Sequence, residues 1–153
     1  HEMTISPCRG CRRCAEAECC IPDDMQKVYA SIEAADIISF SFPLYFSSLP
    51  GPLKTLIDRC NFLWHKNRAG LYTGKGQQGI FFCTAGSDYT EMFIPSSKIL
   101  SHFMNSIGGT LRKDLSVSVS GLDQEERAAE FSSMLSEKDR FSSLSAALKK
   151  ECL

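Results

Sequence analysis

Asp36-Ile-Ile-Ser-Phe-Ser-Phe-Pro-Leu-Tyr-Phe-Ser-Ser-Leu-Pro-Gly-Pro-Leu53 is the stretch whose reading decides the fold. Asp36 to Phe42 is short, apolar and rich in residues that favour sheets, the pattern of a buried strand. Pro43 ends it, since proline cannot donate to a ladder. Pro50-Gly51-Pro52 then opens a helix whose apolar residues, Leu53, Leu56, Ile57, Cys60, Leu63 and Trp64, recur at helical spacing.

The same alternation continues on both sides. Upstream, Ile21-Pro22-Asp23-Asp24 reads as a helix start, with Gln26 in capping-box position after Asp23. Met25, Val28, Ile32 and Ala35 follow at near-helical spacing, so capping is a stronger reading of the two aspartates than a catalytic pair. Downstream, Ile80 to Cys83 is a third apolar run, stopped by Thr84-Ala85-Gly86-Ser87. Ile99, Leu100, Phe103, Met104 and Ile107 mark another helix, ended by Gly108-Gly109. Leu111 to Val119 is a further strand, and Gly121-Leu122-Asp123 begins a long, more polar helix. Strands alternating with helices predict a single α/β domain over residues 1–153 with a mainly parallel sheet.

Composition narrows the function. A chain of 153 residues with 43% apolar content can form one core, and its 23% charged residues do not suggest disorder. A net charge of −1 with scattered Lys and Arg offers no footprint for nucleic acid. The longest strongly apolar stretch, Ile37 to Phe46, is too short and too interrupted for a membrane helix of about 20 residues.

Eight cysteines are present. Cys60 and Cys83 sit inside apolar patterns and read as small core residues of a reduced, cytoplasmic protein, and Cys152 as incidental. The other five crowd into a cysteine-rich loop at 7–22: Cys8, Cys11, Cys14, Cys19 and Cys20. The first four form C-x2-C-x2-C-x4-C, which can wrap a loop around a cubane with each thiolate on a different iron. Zinc ordinarily uses two C-x2-C knuckles further apart, and thiols that bind nothing or oxidise in pairs are a third reading. Arg9, Arg12 and Arg13 between them are expected to lower the thiol pKa values.

Ligands of open α/β sheets sit beyond the C-terminal ends of the strands. Here those ends lead into Pro43, Leu44, Tyr45, Phe46 and Ser47, and into Thr84, Ala85, Gly86 and Ser87. An aromatic loop beside a small, polar one suits a flat, hydrogen-bonding ring such as a flavin. The plainer alternative is that Tyr45 and Phe46 cover the edge of the core. No side chain is assigned as acid or base; His65 and His102 fall in or beside helical segments, where packing or surface roles fit them.

The linked order Pro7-Cys-x2-Cys-x2-Cys-x4-Cys-x3-Asp-Asp-Met25, Ala35-Asp36, Pro43-Leu-Tyr-Phe46 and Gly51-x2-Lys54-x3-Asp58-Arg59 resembles the flavodoxin-like NAD(P)H-dependent FMN reductases, and within them the iron–sulfur flavoproteins. The resemblance implies a flavodoxin-like three-layer sandwich and an oxidoreductase that takes electrons from NAD(P)H. FMN would be lined by Pro43–Ser47 on one side and Thr84–Ser87 on the other. In the iron–sulfur members the compact cysteine motif holds a 4Fe-4S cluster, matched here by Cys8, Cys11, Cys14 and Cys19. Cys19 is preferred to Cys20 for its distance to Asp23. The resemblance further implies a homo-oligomer with the cofactor near a subunit boundary, and small-molecule or protein partners that give or receive electrons. A cluster-free flavin or quinone reductase and a non-enzymatic cysteine-based metal or redox module are the alternatives.

One departure stands out. The family begins with a strand and a Gly/Ser/Thr-rich phosphate loop, and nothing before Pro7 matches them; His1 to Ser6 is at most the second strand. The expectation is a chain truncated at its N-terminus, with a slot about two strand spacings wide, ~4.8 Å each, in the sheet.

Overall fold

The computed structural model describes residues 3–72, 74–87, 89–120 and 129. Its first long strand, β1 (Ile37–Pro43), runs parallel to β2 (Gln78–Ala85) over seven residue pairs, from Ile37 opposite Gln78 to Pro43 opposite Thr84. Strand alternation sorts β1: Phe40 and Phe42 are buried, while Ser39 and Ser41 are exposed. The second edge of β2 is shared by β3 (Thr110–Leu111) and β4 (Val117–Ser120), both parallel to it. All four strands of the sheet therefore run in one direction, as the alternation predicts.

Helix α1 (Met25–Ala34) precedes β1 and buries Met25, Val28, Tyr29 and Ile32. Between β1 and β2 the expected single helix is two, α2 (Gly51–Arg59) and α3 (Asn61–Arg68). They meet at Cys60, whose N–H bonds to the carbonyls of both Leu56 and Ile57. Helix α4 (Ile94–Ser106) buries Leu100 and Met104 completely, and Gly108, at φ +76°, takes the left-handed conformation that ends it. Phe40 meets Phe103 of α4 edge to face at 5.8 Å, which ties the sheet to that helix. No helix among the described residues is long and apolar enough to cross a membrane.

Three expectations need correction. The strand expected from Leu111 to Val119 is interrupted by a 3-10 turn at Lys113–Leu115, where Arg112 and Asp114 pair at 2.8 Å. Ser116 covers the gap: its Oγ accepts the Phe81 N–H at 3.1 Å, which the broken ladder leaves without a carbonyl. The capping box does not form: the Asp24 side chain caps nothing in α1, and Asp23 caps only the Met25 N–H, through Oδ1 at 3.1 Å, while it also binds Arg59 and Ser6. Finally, the described part of the N-terminal segment makes no strand. It is hooked to α1 instead: Thr4 N–H donates to Asp24 Oδ2 at 2.8 Å and Ser6 N–H to Asp23 Oδ2 at 2.9 Å.

The outer edge of β1 has no strand partner among the described residues. An open groove of about 730 Å³ lies along it, between Met3–Pro7 on one side and Leu53 and Leu56 on the other. Those helix residues are accordingly only half-buried, and the one buried residue of α2 is a charged one, Arg59. The helix expected after Gly121 lies outside the described residues, as does Cys152.

Candidate flavin and cysteine sites

The Pro43–Ser47 and Thr84–Ser87 segments leave the sheet side by side because their strands are parallel and in register. The Leu44 N–H bonds to the Thr84 carbonyl at 2.7 Å, carrying the ladder one step past Pro43. Tyr45 and Ser48 then exchange backbone hydrogen bonds of 3.1 and 2.9 Å around a tight turn. Phe46 and Ser47 at its centre have φ of +49° and +57°, a geometry that usually selects Asn-Gly. For a residue with a large side chain this left-handed backbone costs roughly 1–2 kcal/mol.

That strain places the Phe46 ring wholly in solvent, with Tyr45 59% exposed beside it. The edge-of-core alternative therefore fails for both Tyr45 and Phe46; Leu44 is the residue of this loop that packs against the core cluster. Pro43, Thr84, Gly86 and Ser87 are exposed, whereas Ala85 is buried and can present only its backbone to a ligand. Tyr89, which no sequence pattern marks, closes the pair of loops: its hydroxyl lies 2.6 Å from Ser47 Oγ.

The cysteine loop is built differently. Gly10 and Arg12, at φ +66° and +59°, turn the chain sharply, and a 3-10 turn at Arg13–Ala15 follows. Cys8, Cys11, Cys14 and Cys19 line one cavity of about 210 Å³, with Arg59, Asn61 and Phe62 forming part of its wall. Cys20 is not among the lining residues; its Sγ sits 3.9 Å from that of Cys11.

Three of the four lining thiols have an N–H donor. Gly10 N–H reaches Cys8 Sγ at 3.5 Å, Asn61 Nδ2 reaches Cys14 Sγ at 3.7 Å, and an Arg59 guanidinium nitrogen reaches Cys19 Sγ at 3.5 Å. The backbone of Arg13 serves Cys11 and is the main reason that its thiol pKa is lowered, ahead of the Cys20 contact. The charge of Arg13 contributes less, and burial, with Cys19 and Cys8 nearby, pushes the Cys14 thiol up. The expectation that the loop arginines lower the thiols is met in direction at Cys11, where the arginine charge is a minor cause, and is corrected at Cys14, where burial prevails. Cys60 and Cys83 are core residues as expected, and burial pushes the Cys60 thiol up to about 12.

In the sequence Arg59 stands out only as part of a motif. Its side chain is 1% exposed and paired with Asp23, whose side chain is 3% exposed, at 2.5 and 3.1 Å through both carboxylate oxygens. It also donates to the Ser6 carbonyl at 2.8 Å. Asp23 is held below the usual carboxylate range chiefly by this hydrogen bonding, against the opposing effect of burial. A signal did exist: Arg59 follows Leu53 and Leu56 at steps of three, a charge in phase with an apolar stripe.

The donor set can be weighed against candidate metals. A single zinc needs its ligands about 2.3 Å from one point. Among the described residues no three His, Cys, Asp or Glu side chains converge in that way. The four thiols line a common cavity, and a cluster is a group that takes four thiolates on different irons. The Arg59 Nε–H, buried and without a partner among the described residues, belongs to a side chain on that wall.

The family model described as NADPH-dependent FMN reductase matches residues 2–87, more than half of the chain. The chain belongs to this FMN reductase family. Its parallel α/β fold is flavodoxin-like, as the motifs imply. An iron–sulfur flavoprotein of Methanosarcina thermophila is 39% identical over 66 residues, 42% of this chain and 35% of that relative. Another from Methanocaldococcus jannaschii is 33% identical over 84 residues, 54% of this chain and 41% of that one. The matches therefore span less than half the length of these relatives. A solved structure described as a thermophilic tryptophan halogenase from Streptomycin violaceusniger has a TM-score of 0.54 at 24% identity. It covers 74% of this chain and 72% of that one, a likeness of fold alone.

Proposed function

We propose that this domain belongs to an FMN-dependent, NAD(P)H-linked electron-transfer oxidoreductase in which Cys8, Cys11, Cys14 and Cys19 hold a 4Fe-4S cluster. The observation that carries the reading is the cavity lined by four thiols, three of which, Cys8, Cys14 and Cys19, receive an N–H donor. Hydrogen bonds to sulfur stabilise thiolates that carry part of a cluster's negative charge. The names of the relatives from Methanosarcina and Methanocaldococcus support it.

FMN, when bound, supplies the means to accept a hydride and release its electrons singly. The chain's own part is to bind and orient. Tyr45 and Phe46 present apolar faces to a flat ring, while Thr84, Gly86 and Ser87 offer hydroxyl and backbone groups to its polar edge. The Leu44–Thr84 and Ser47–Tyr89 hydrogen bonds hold the two loops at a fixed separation. Within the family resemblance, a homo-oligomer would supply further walls of this half-open site.

A second reading, a thiol pair working without a cluster, draws on the 3.9 Å contact between Cys11 and Cys20. Anoxic purification followed by FMN, iron and sulfide analysis separates the two. Flavin peaks with a broad, dithionite-bleachable visible band support flavin plus cluster. Flavin with negligible iron leaves a cluster-free reductase, and a colourless protein that takes up neither group overturns the proposal.

A further inference from the structure

The wall of the cysteine cavity that faces away from the loop comes from one short piece of helix. Arg59 ends α2, Asn61 begins α3, and the buried Cys60 between them fixes the junction in the core. Tyr29 reinforces it, its hydroxyl donating to the Arg59 carbonyl at 2.8 Å. From this junction two side chains reach different sulfurs, Arg59 to Cys19 and Asn61 to Cys14.

The Arg59 guanidinium has no freedom to leave. One terminal nitrogen holds Asp23 Oδ2 and the Ser6 carbonyl, and the other holds Asp23 Oδ1 and Cys19 Sγ. Asp23 is itself fixed by the N–H groups of Ser6 and Met25 at 2.9 and 3.1 Å. Because the carboxylate already balances its charge, Arg59 acts on Cys19 mainly as a positioned N–H donor. A lysine would keep the charge but cannot present a rigid planar fork to these partners.

We infer that Arg59 and Asn61 are positioning residues that raise the reduction potential of the cysteine-bound centre, by donating hydrogen bonds to the thiolates of Cys19 and Cys14. The inference rests on the cluster reading above and adds to it the groups that set the potential. Its physical basis is that reduction adds negative charge, part of which falls on the ligating sulfurs, and an N–H donor there favours the reduced form. Asn61 is exposed, so its contribution is the smaller of the two.

The test compares the wild-type chain with Arg59→Lys and Asn61→Ala. All three are reconstituted without oxygen using ferrous iron and sulfide, assayed for iron per chain, and titrated with dithionite and mediator dyes. Arg59→Lys is expected to shift the reduction equilibrium at least tenfold toward the oxidised form, a fall of about 59 mV for a one-electron couple. Asn61→Ala should shift it in the same direction by less, at unchanged iron content and unchanged melting temperature. A purely structural role would lower the melting temperature and leave the potential where it was. Wild-type protein that takes up no iron defeats the cluster reading and the inference with it. Wild type and variants with full iron and equal potentials defeat the inference alone. If Arg59→Lys does not fold or retain iron, Asn61→Ala decides: a lower potential supports the inference and an unchanged one overturns it.

Discussion

At the cysteine end, the N-terminal segment, the start of α1 and the α2–α3 junction are drawn together by one buried ion pair and the hydrogen bonds around it. At the other site, the Tyr45–Ser48 turn projects an entirely exposed ring on a left-handed backbone, tied to its neighbouring loop by a few surface contacts. At the first site both terminal nitrogens of Arg59 are bonded within these residues, and only its Nε–H is left without a partner among the described residues. The second offers one open side to a ligand. Distant segments held by buried charges give fixed geometry, which suits ligands to a metal centre; an exposed aromatic turn gives area and access, which suits a dissociable ring.

The largest difference should appear when Asp23 is removed. Asp23→Ala leaves the Arg59 guanidinium buried without its partner, a change that typically costs about 3–5 kcal/mol. Urea unfolding should report that loss together with loss of iron. An equal loss from a change in the Tyr45–Ser48 turn would erase the contrast between the sites.

At the turn, stability should move the other way. Replacing Phe46 and Ser47 by Asn and Gly relieves left-handed strain and should stabilise the domain by about 1 kcal/mol. The same change should weaken FMN binding, because the exposed ring is lost. Destabilisation would mean that the Phe46 ring packs against something in solution.

Acid sharpens the comparison. The folded-state pKa of Asp23 lies below its unfolded value, so the unfolded chain binds more protons in the interval between them. Stability from this group is fully present above the ordinary aspartate value of about 3.9 and is lost as pH falls through the lower folded value. Wild-type protein should therefore lose stability on acidification below about pH 4 more steeply than Asp23→Asn does. Parallel curves for the two proteins would show that the pair carries no pH-linked stability.

The smallest effect is expected at Tyr89. Tyr89→Phe removes a surface hydrogen bond to Ser47, so unfolding free energy should change by less than about 1 kcal/mol. FMN affinity, measured by fluorescence quenching, should fall as the two loops lose their tie. Unchanged affinity would remove Tyr89 from the site.

Much of this was legible in the sequence because it depends on local pattern. The apolar run Ile37 to Phe42 and its partner Ile80 to Cys83 specify two buried parallel strands, and their ends fix where the loops emerge. The cysteine spacing likewise separates Cys8, Cys11, Cys14 and Cys19 from Cys60 and Cys83. What stayed hidden depends on partners distant in the chain. Asp23 has the sequence context of a helix cap, and only Arg59, 36 residues away, makes it a buried ion pair. The strand from Leu111 is broken by the turn at Lys113–Leu115, and the Ser116 Oγ that takes the place of a backbone carbonyl for Phe81 is a partner that no periodicity records. Tyr89 reads as a loop residue until the turn at Phe46 and Ser47 brings Ser47 to its hydroxyl.

The most direct test of the central claim is iron content per chain after anoxic reconstitution of the wild type, Cys19→Ser and Cys20→Ser. Cys19 lines the cavity and receives the Arg59 hydrogen bond, whereas Cys20 lies outside it against Cys11. Wild type and Cys20→Ser should carry a full cluster, and Cys19→Ser should lose iron sharply. Iron retained in Cys19→Ser but lost in Cys20→Ser, or absent from all three, would contradict it.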